Sequence, residues 1–142
     1  MLFPKKVKHR RWHTARKHPD KRGNATRGVR LNNGEFGLRA TSSARVTSNQ
    51  IESARKVLTR EVGKLGKYYI RIFPDRPITR KAAEVGMGKG KGDPQGFCYE
   101  VLPGRILFEV ANVSEEKARE ALRKAGTKMP LTAKIISKHD IY

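Results

Sequence analysis

With 142 residues the chain has room for one hydrophobic core, and a modest one, because apolar residues make up 37% of it while charged residues reach 32%. Its 32 Lys+Arg against 13 Asp+Glu leave a formal charge of +19, which repels itself in a compact monomer unless a polyanion neutralises it. No apolar run approaches membrane-spanning length and the single cysteine, Cys98, excludes an internal disulfide, so the expected partner is nucleic acid, held by a salt-dependent phosphate contribution.

The basic residues crowd the start of the chain. Residues 1–30 contain Lys5, Lys6, Lys8, Arg10, Arg11, Arg16, Lys17, Lys21, Arg22, Arg27 and Arg30 against Asp20 alone. So few apolar residues cannot offset the entropy of ordering the segment, which predicts an arm over 1–27, extended or disordered until it meets its partner, and a single domain over 28–142. Met1-Leu2-Phe3-Pro4 turns at once to charge, so no signal peptide is expected, and the arm lacks the serines and apolar face of a transit peptide. Lys5, Lys6, Lys8, Arg10, Arg11, Arg16, Lys17, Lys21 and Arg22 are candidate phosphate contacts. Trp12 and His13, set among cations, are candidates for stacking on unpaired bases; the alternative, Trp12 folded back on the domain, has little apolar surface in the arm to favour it. His9, His13 and His18 have neither a cysteine nor a carboxylate pair beside them, so no metal is expected.

From Gly28 the pattern alternates: Val29 and Leu31, then Asn33-Gly34, then Phe36, Leu38 and Ala40, which predicts a hairpin around a tight turn. Thr47 and Gln50 have capping-box spacing, and Ile51, Ala54, Leu58, Val62 and Leu65 follow at helical intervals up to Gly66. The opposite face carries Lys56, Arg60 and Lys64 as a basic ridge, read as a further phosphate contact rather than a merely solvated face. Tyr68 to Phe73 reads as a strand ended by Pro74-Asp75-Arg76-Pro77. Phe97 to Leu102 and Arg105 to Val110 read as alternating strands that pair across a type II turn at Pro103-Gly104, with Cys98 as a core thiol. Ser114, Glu115 and Glu116 open a second helix lined by Ala118, Ala121, Leu122 and Ala125 and closed by Gly126; Leu131 to Ser137 forms a last strand. The class is α+β: a mixed, mostly antiparallel sheet with two helices on one face.

Between these elements, residues 77–96 hold almost no core-forming side chains but carry Arg80, Lys81, Lys89 and Lys91 and glycines at 86, 88, 90 and 92. A structureless loop of that length in a small domain is usually functional. Alternating glycine and lysine lets amide groups approach phosphates while mobile charges contact them without selecting a base. The segment is not a nucleotide-binding loop. The Walker spacing puts Gly92 where a magnesium-binding hydroxyl belongs, and in the dinucleotide fingerprint the third glycine falls on Lys91 or Asp93. No nucleophile and base, nor a carboxylate pair in a pocket, is suggested, so no enzymatic activity is expected; Glu100 and Glu109 are read as partners for basic neighbours across the sheet.

Lys67-Tyr68-Tyr69-Ile70-Arg71-Ile72-Phe73-Pro74-Asp75, Pro77-Ile78-Thr79, and Met87-Gly88-Lys89-Gly90-Lys91-Gly92 with Phe97 five residues on together resemble the bacterial large-subunit ribosomal protein L-sixteen family. Met1-Leu2-x-Pro4-Lys5, Phe36-Gly37-Leu38, Gln50-Ile51-Glu52-x-Ala54-Arg55 and Pro103-Gly104 extend the resemblance over nearly the whole chain. The resemblance implies an α/β-hammerhead type of α+β fold and a structural place in the large subunit of the cytoplasmic, bacterial-type ribosome. It further implies contacts with large-subunit rRNA near the central protuberance, with neighbouring ribosomal proteins, and with A-site and also P-site tRNA, without a cofactor or self-association. On it, Arg80, Lys81, Gly86, Met87, Gly88, Lys89, Gly90, Lys91 and Gly92 form the loop that faces tRNA, and the arm is the part threaded into rRNA. The family pattern carries an arginine directly before the Met-Gly-x-Gly-Lys-Gly run, where this chain has Gly86, so the loop tip lacks that cation. The competing expectation is a free RNA chaperone or regulator, which needs the same charge but not the ribosome.

Overall fold

Thr47 and Gln50 start a helix as their spacing predicts in the computed structural model, which describes residues 1–13 and 19–141. α1 spans Ser48–Val62. The Thr47 hydroxyl accepts from the Gln50 amide at 3.4 Å and the Gln50 side chain accepts from the Thr47 amide at 2.9 Å, satisfying donors that a helix start leaves unpaired. Ile51, Ala54, Leu58 and Val62 form its buried stripe. The apolar spacing carries the helix to Leu65, but Gly63 ends it at φ 74, donating to the Thr59 carbonyl at 3.3 Å, and Leu65 is left 91% exposed. α2 spans Glu115–Gly126, with Glu115 and Glu116 in the turn where the helix dipole favours acids. Its buried Ala118, Ala121 and Ala125 are small enough to let α2 lie directly against α1.

Among the described residues seven strands complete the α+β architecture: β1 Phe36–Ala40, β2 Ala44–Thr47, β3 Lys67–Ile70, β4 Arg76–Arg80, β5 Asp93–Val101, β6 Ile106–Ala111 and β7 Ala133–Ser137. Every pairing is antiparallel, and the strands divide into a four-stranded sheet, β3-β6-β1-β7, and a three-stranded sheet, β2-β5-β4. α2 packs on β1, β6 and β7, while α1 touches β3 of the first sheet and β2 and β5 of the second.

Four local expectations need correction. Val29 and Leu31 do not form the first arm of a hairpin. The amides of Asn32, Asn33 and Gly34 instead donate to the carboxylate of Glu109 at 3.1, 2.7 and 2.6 Å, and Arg71 donates to the same carboxylate. Glu109 is wholly buried, and a carboxylate there is tolerated only when its oxygens are occupied by donors. Second, the strand read over Tyr68 to Phe73 stops at Ile70. Third, β5 and β6 are joined by the predicted turn, with Arg105 N–H donating to Leu102 C=O at 3.2 Å and Gly104 at φ 98, yet they do not pair. The Gly104 amide donates to the Ala40 carbonyl at 2.7 Å and the Ala40 amide to the Arg105 carbonyl at 2.9 Å at that corner, so the turn carries the chain from one sheet to the other. Because β6 is central in its sheet, all six of its residues are buried and its alternation disappears.

Fourth, the loop expected over 77–96 is narrower. β4 and β5 pair from Arg76↔Cys98 out to Arg80↔Asp93, so residues 77–80 and 93–96 are the two sides of a hairpin and only 81–92 remain as its tip. A register shift between Ile78 and Thr79 accommodates Gln95, and β5 meets β2 only over Cys98–Val101, which leaves Pro94 with a neighbour on one side alone.

Candidate nucleic-acid interface

The β4–β5 hairpin projects residues 81–92 away from the core, and from Ala82 to Lys91 every residue is exposed, with Met87 wholly so. Gly88 and Gly90 take φ values of 98 and 93 around Lys89 at φ 58, a left-handed run that only glycine-rich sequence supports. Gly92 serves a different purpose: a side chain there would come within 2.6 to 2.8 Å of the Arg80 and Lys81 backbone, so the hairpin closes only over glycine. Gly86 has neither a positive φ nor a close neighbour. Lys81 donates to the Gly88 carbonyl across the loop, whereas the side chains of Arg80 and Lys89 make no hydrogen bond or ion pair among the described residues.

The arm runs beside this hairpin. Residues 1–13 contain no helix or strand, and Leu2 packs against the core, which pins the beginning of the arm. Further along, the Lys91 ammonium donates to the Trp12 carbonyl, and Arg11 donates to the Gly92 carbonyl at 3.4 Å and faces Asp93 at 3.8 Å. Between those anchors Lys5, Lys6, Lys8 and Arg10 are exposed and have no acidic partner among the described residues. His13 is exposed, and its carbonyl accepts from Arg76 at 3.5 Å. Trp12 borders a cleft of the domain and keeps 44% of its surface exposed. Arg16 and Lys17, like His18, lie outside the described residues. Lys21 is exposed at the end of the short 3-10 turn Pro19–Lys21.

Arg22 is part of a cluster that spacing alone did not reveal. Glu100 on β5 receives Arg22 at 3.1 Å, Arg76 from β4 at 2.8 Å and Arg45 from β2 at 3.3 Å. Alternation along β5 and β2 makes Glu100 and Arg45 cross-strand partners, the role expected of Glu100, but nothing local announces Arg22 or Arg76. Arg76 is 6% exposed, so this is a cation held inside the fold by its counter-ion. Beside the cluster, Arg105 donates to the carbonyls of Arg27 and Arg71 at 3.1 and 2.7 Å and lies over the Tyr99 ring at 5.6 Å.

The ridge on α1 is shorter than its spacing suggests. Lys56 and Arg60 are exposed on the helix, but Lys64 falls in the turn after Gly63. Cys98 is fully buried, and burial pushes its thiol above the ordinary range against the opposing pull of Arg76, which makes it the inert core residue its strand setting predicts. No group of three metal-ligating side chains occurs among the described residues. The chemistry this surface can perform is therefore phosphate neutralisation and base stacking.

Comparison with known proteins places the chain in a family. The family model described as "Ribosomal protein L16p/L10e" matches residues 4–136. Large ribosomal subunit protein uL16 of Leifsonia xyli subsp. xyli is 50% identical over 140 residues, covering 99% of this chain and 98% of its own. The protein of the same name from Clavibacter michiganensis subsp. michiganensis is equally similar. That of Azobacteroides pseudotrichonymphae is 51% identical, over 99% of this chain and 95% of its own.

Proposed function

Because the chain belongs to the ribosomal protein L16p/L10e family, we propose that its unpartnered cations bind large-subunit rRNA and that its Gly/Lys hairpin tip contacts tRNA. Family membership makes it a structural constituent of the large subunit of the bacterial cytoplasmic ribosome, among rRNA and neighbouring ribosomal proteins, and not an enzyme. The observation that carries the RNA reading is that, among the described residues, Lys5, Lys6, Lys8 and Arg10 have no acidic partner while most carboxylates are paired. Cations left in water beside a folded surface are available to displace counter-ions from phosphates. In this reading Arg11, Trp12, His13, Arg16, Lys17, Lys21 and Arg22 continue the rRNA contact, and Lys56, Arg60 and Lys64 form a second one. The tRNA-facing group comprises Arg80, Lys81 and residues 86–92, with A-site tRNA the principal contact and P-site tRNA a further one; residues 1–27 act as the RNA-binding arm of a domain over 28–142.

Sucrose-gradient sedimentation of cell extracts tests the assignment. Alanine at Lys5, Lys6, Lys8 and Arg10 should shift the protein from the large-subunit peak toward the top. Lys89→Ala should leave sedimentation unchanged and weaken tRNA binding to purified subunits. Substitution is preferable to deleting the arm because the partly buried Leu2 packs against the core. Parent protein found mainly at the top of the gradient would favour a free RNA chaperone instead, and identical effects of both variants would show that arm and loop do not divide the work.

A further inference from the structure

One charged cluster, where the arm meets β4 and β5 away from the hairpin tip, encloses space. A cavity of about 340 Å³ is walled by Trp12, Arg22, Arg27, Arg76, Tyr99 and Arg105, and a second, of about 360 Å³, shares Trp12, Arg22 and Arg76 with it. Building on the RNA-binding reading, we propose that this cleft receives one unstacked rRNA nucleotide, its base against the Trp12 indole and its phosphate on Arg22 and Arg27.

Size, charge and preorganisation each support a nucleotide. The cavity falls at the lower end of the roughly 300–1,000 Å³ of small-molecule sites, so it suits one base rather than a run of them. Four arginines line it against Asp75 and Glu100, and Glu100 is already shared by three guanidiniums. Arg105 adds a cation without a carboxylate partner among the described residues. Carbonyls of Arg27 and Arg71 fix it, and its buried Nε has no hydrogen-bond partner. Gly28, at φ 64, makes that position possible, since a side chain there would collide with the guanidinium. Arg76 and Arg105 are thus immobilised before any ligand arrives, which removes part of the ordering cost of binding. A bare phosphate would leave the indole and phenol rings unused, whereas an unpaired base stacks on aromatic and guanidinium planes of this kind.

Trp12 is the sole tryptophan, so its fluorescence reports this cleft alone. The full-length protein is titrated with a short single-stranded oligoribonucleotide of mixed sequence and with an abasic ribose-phosphate oligomer of equal length. Anisotropy of a labelled oligomer follows binding, and Trp12 quenching follows occupancy. The base-bearing oligomer should quench Trp12 and bind about five- to hundredfold more tightly than the abasic one. Ala25→Leu enlarges a wall residue without removing the Ala25 amide bond to the Pro103 carbonyl at 2.8 Å; it should abolish quenching and leave binding at the abasic level. Equal quenching by the two oligomers, or normal quenching in a folded Ala25→Leu protein, overturns the cleft while RNA binding stands. Should circular dichroism show that variant unfolded, the two oligomers on the parent protein decide. Failure of the parent to bind either oligomer would remove the RNA reading together with the cleft.

Discussion

The Lys91 ammonium donates to the backbone carbonyl of Trp12, joining the Gly/Lys hairpin tip to an arm 79 residues earlier in the chain. Arg11 reinforces the junction from the other side through Gly92 and Asp93. Two of the three lysines of the tip therefore differ: Lys91 fastens the arm, while the Lys89 side chain is exposed and has no partner among the described residues.

Lys91→Ala should loosen the arm and Lys89→Ala should not. A hydrogen bond of this kind on an exposed surface is worth about 1 kcal/mol net, so the detached state of the arm should be populated roughly fivefold more in Lys91→Ala. Hydrogen-exchange mass spectrometry of the free protein measures this, and equal protection in both variants would show that the arm is held elsewhere.

Glu109→Gln should be among the most damaging conservative substitutions. The carboxylate accepts from three backbone amides and from Arg71, and a carboxamide would point its own N–H groups at some of those donors while leaving Arg71 without a counter-ion. Breaking a buried pair at one end costs about 3–5 kcal/mol. Denaturant unfolding should show a large fall in midpoint, and a midpoint within experimental error of the parent would contradict the role given to this residue.

The salt dependence of RNA binding should count the arm cations. Replacing Lys5, Lys6 and Lys8 by alanine should flatten the slope of log K against log salt by about 2–3, because each phosphate contact contributes roughly 0.7–0.9. Filter binding of an rRNA fragment over a range of salt concentrations gives the slope; an unchanged value would mean that these lysines remain in solvent when RNA binds.

Acid should weaken α2. The Arg123 hydrogen bond, helped by Lys124, holds the Glu120 carboxyl down at about 2 from an ordinary 4.5. A carboxyl depressed on folding stabilises the protein above its unfolded pKa, and that contribution is lost as pH falls from 4.5 toward 2. Arg123→Gln should therefore shrink the fall in melting temperature across that interval. The fall should not vanish, because Glu52 and Asp140 are also held low, by Arg55 and by Ser137 respectively. An identical pH profile for parent and variant would dismiss the Glu120 contribution.

Much of this protein was determined by local sequence. The α1 capping box, the Ala118 to Ala125 stripe, the turn at Pro103-Gly104, the glycine-rich tip and the charge imbalance all depend on residues within a few positions of one another. Short-range geometry and composition suffice to read them. Tertiary structure decided what those local features join. Asn33-Gly34 has the chemistry of a hairpin turn, but its amides go to Glu109, more than seventy residues away, because a buried carboxylate requires donors more stringently than a short strand requires a partner. Likewise β5 and β6 follow a proper turn into different sheets, and Arg22, Arg76 and Arg105 gather around one cleft from three separate stretches of chain. Composition shows an excess of cations; only long-range packing decided which of them pair with Glu100 and Glu109 and which remain in solvent.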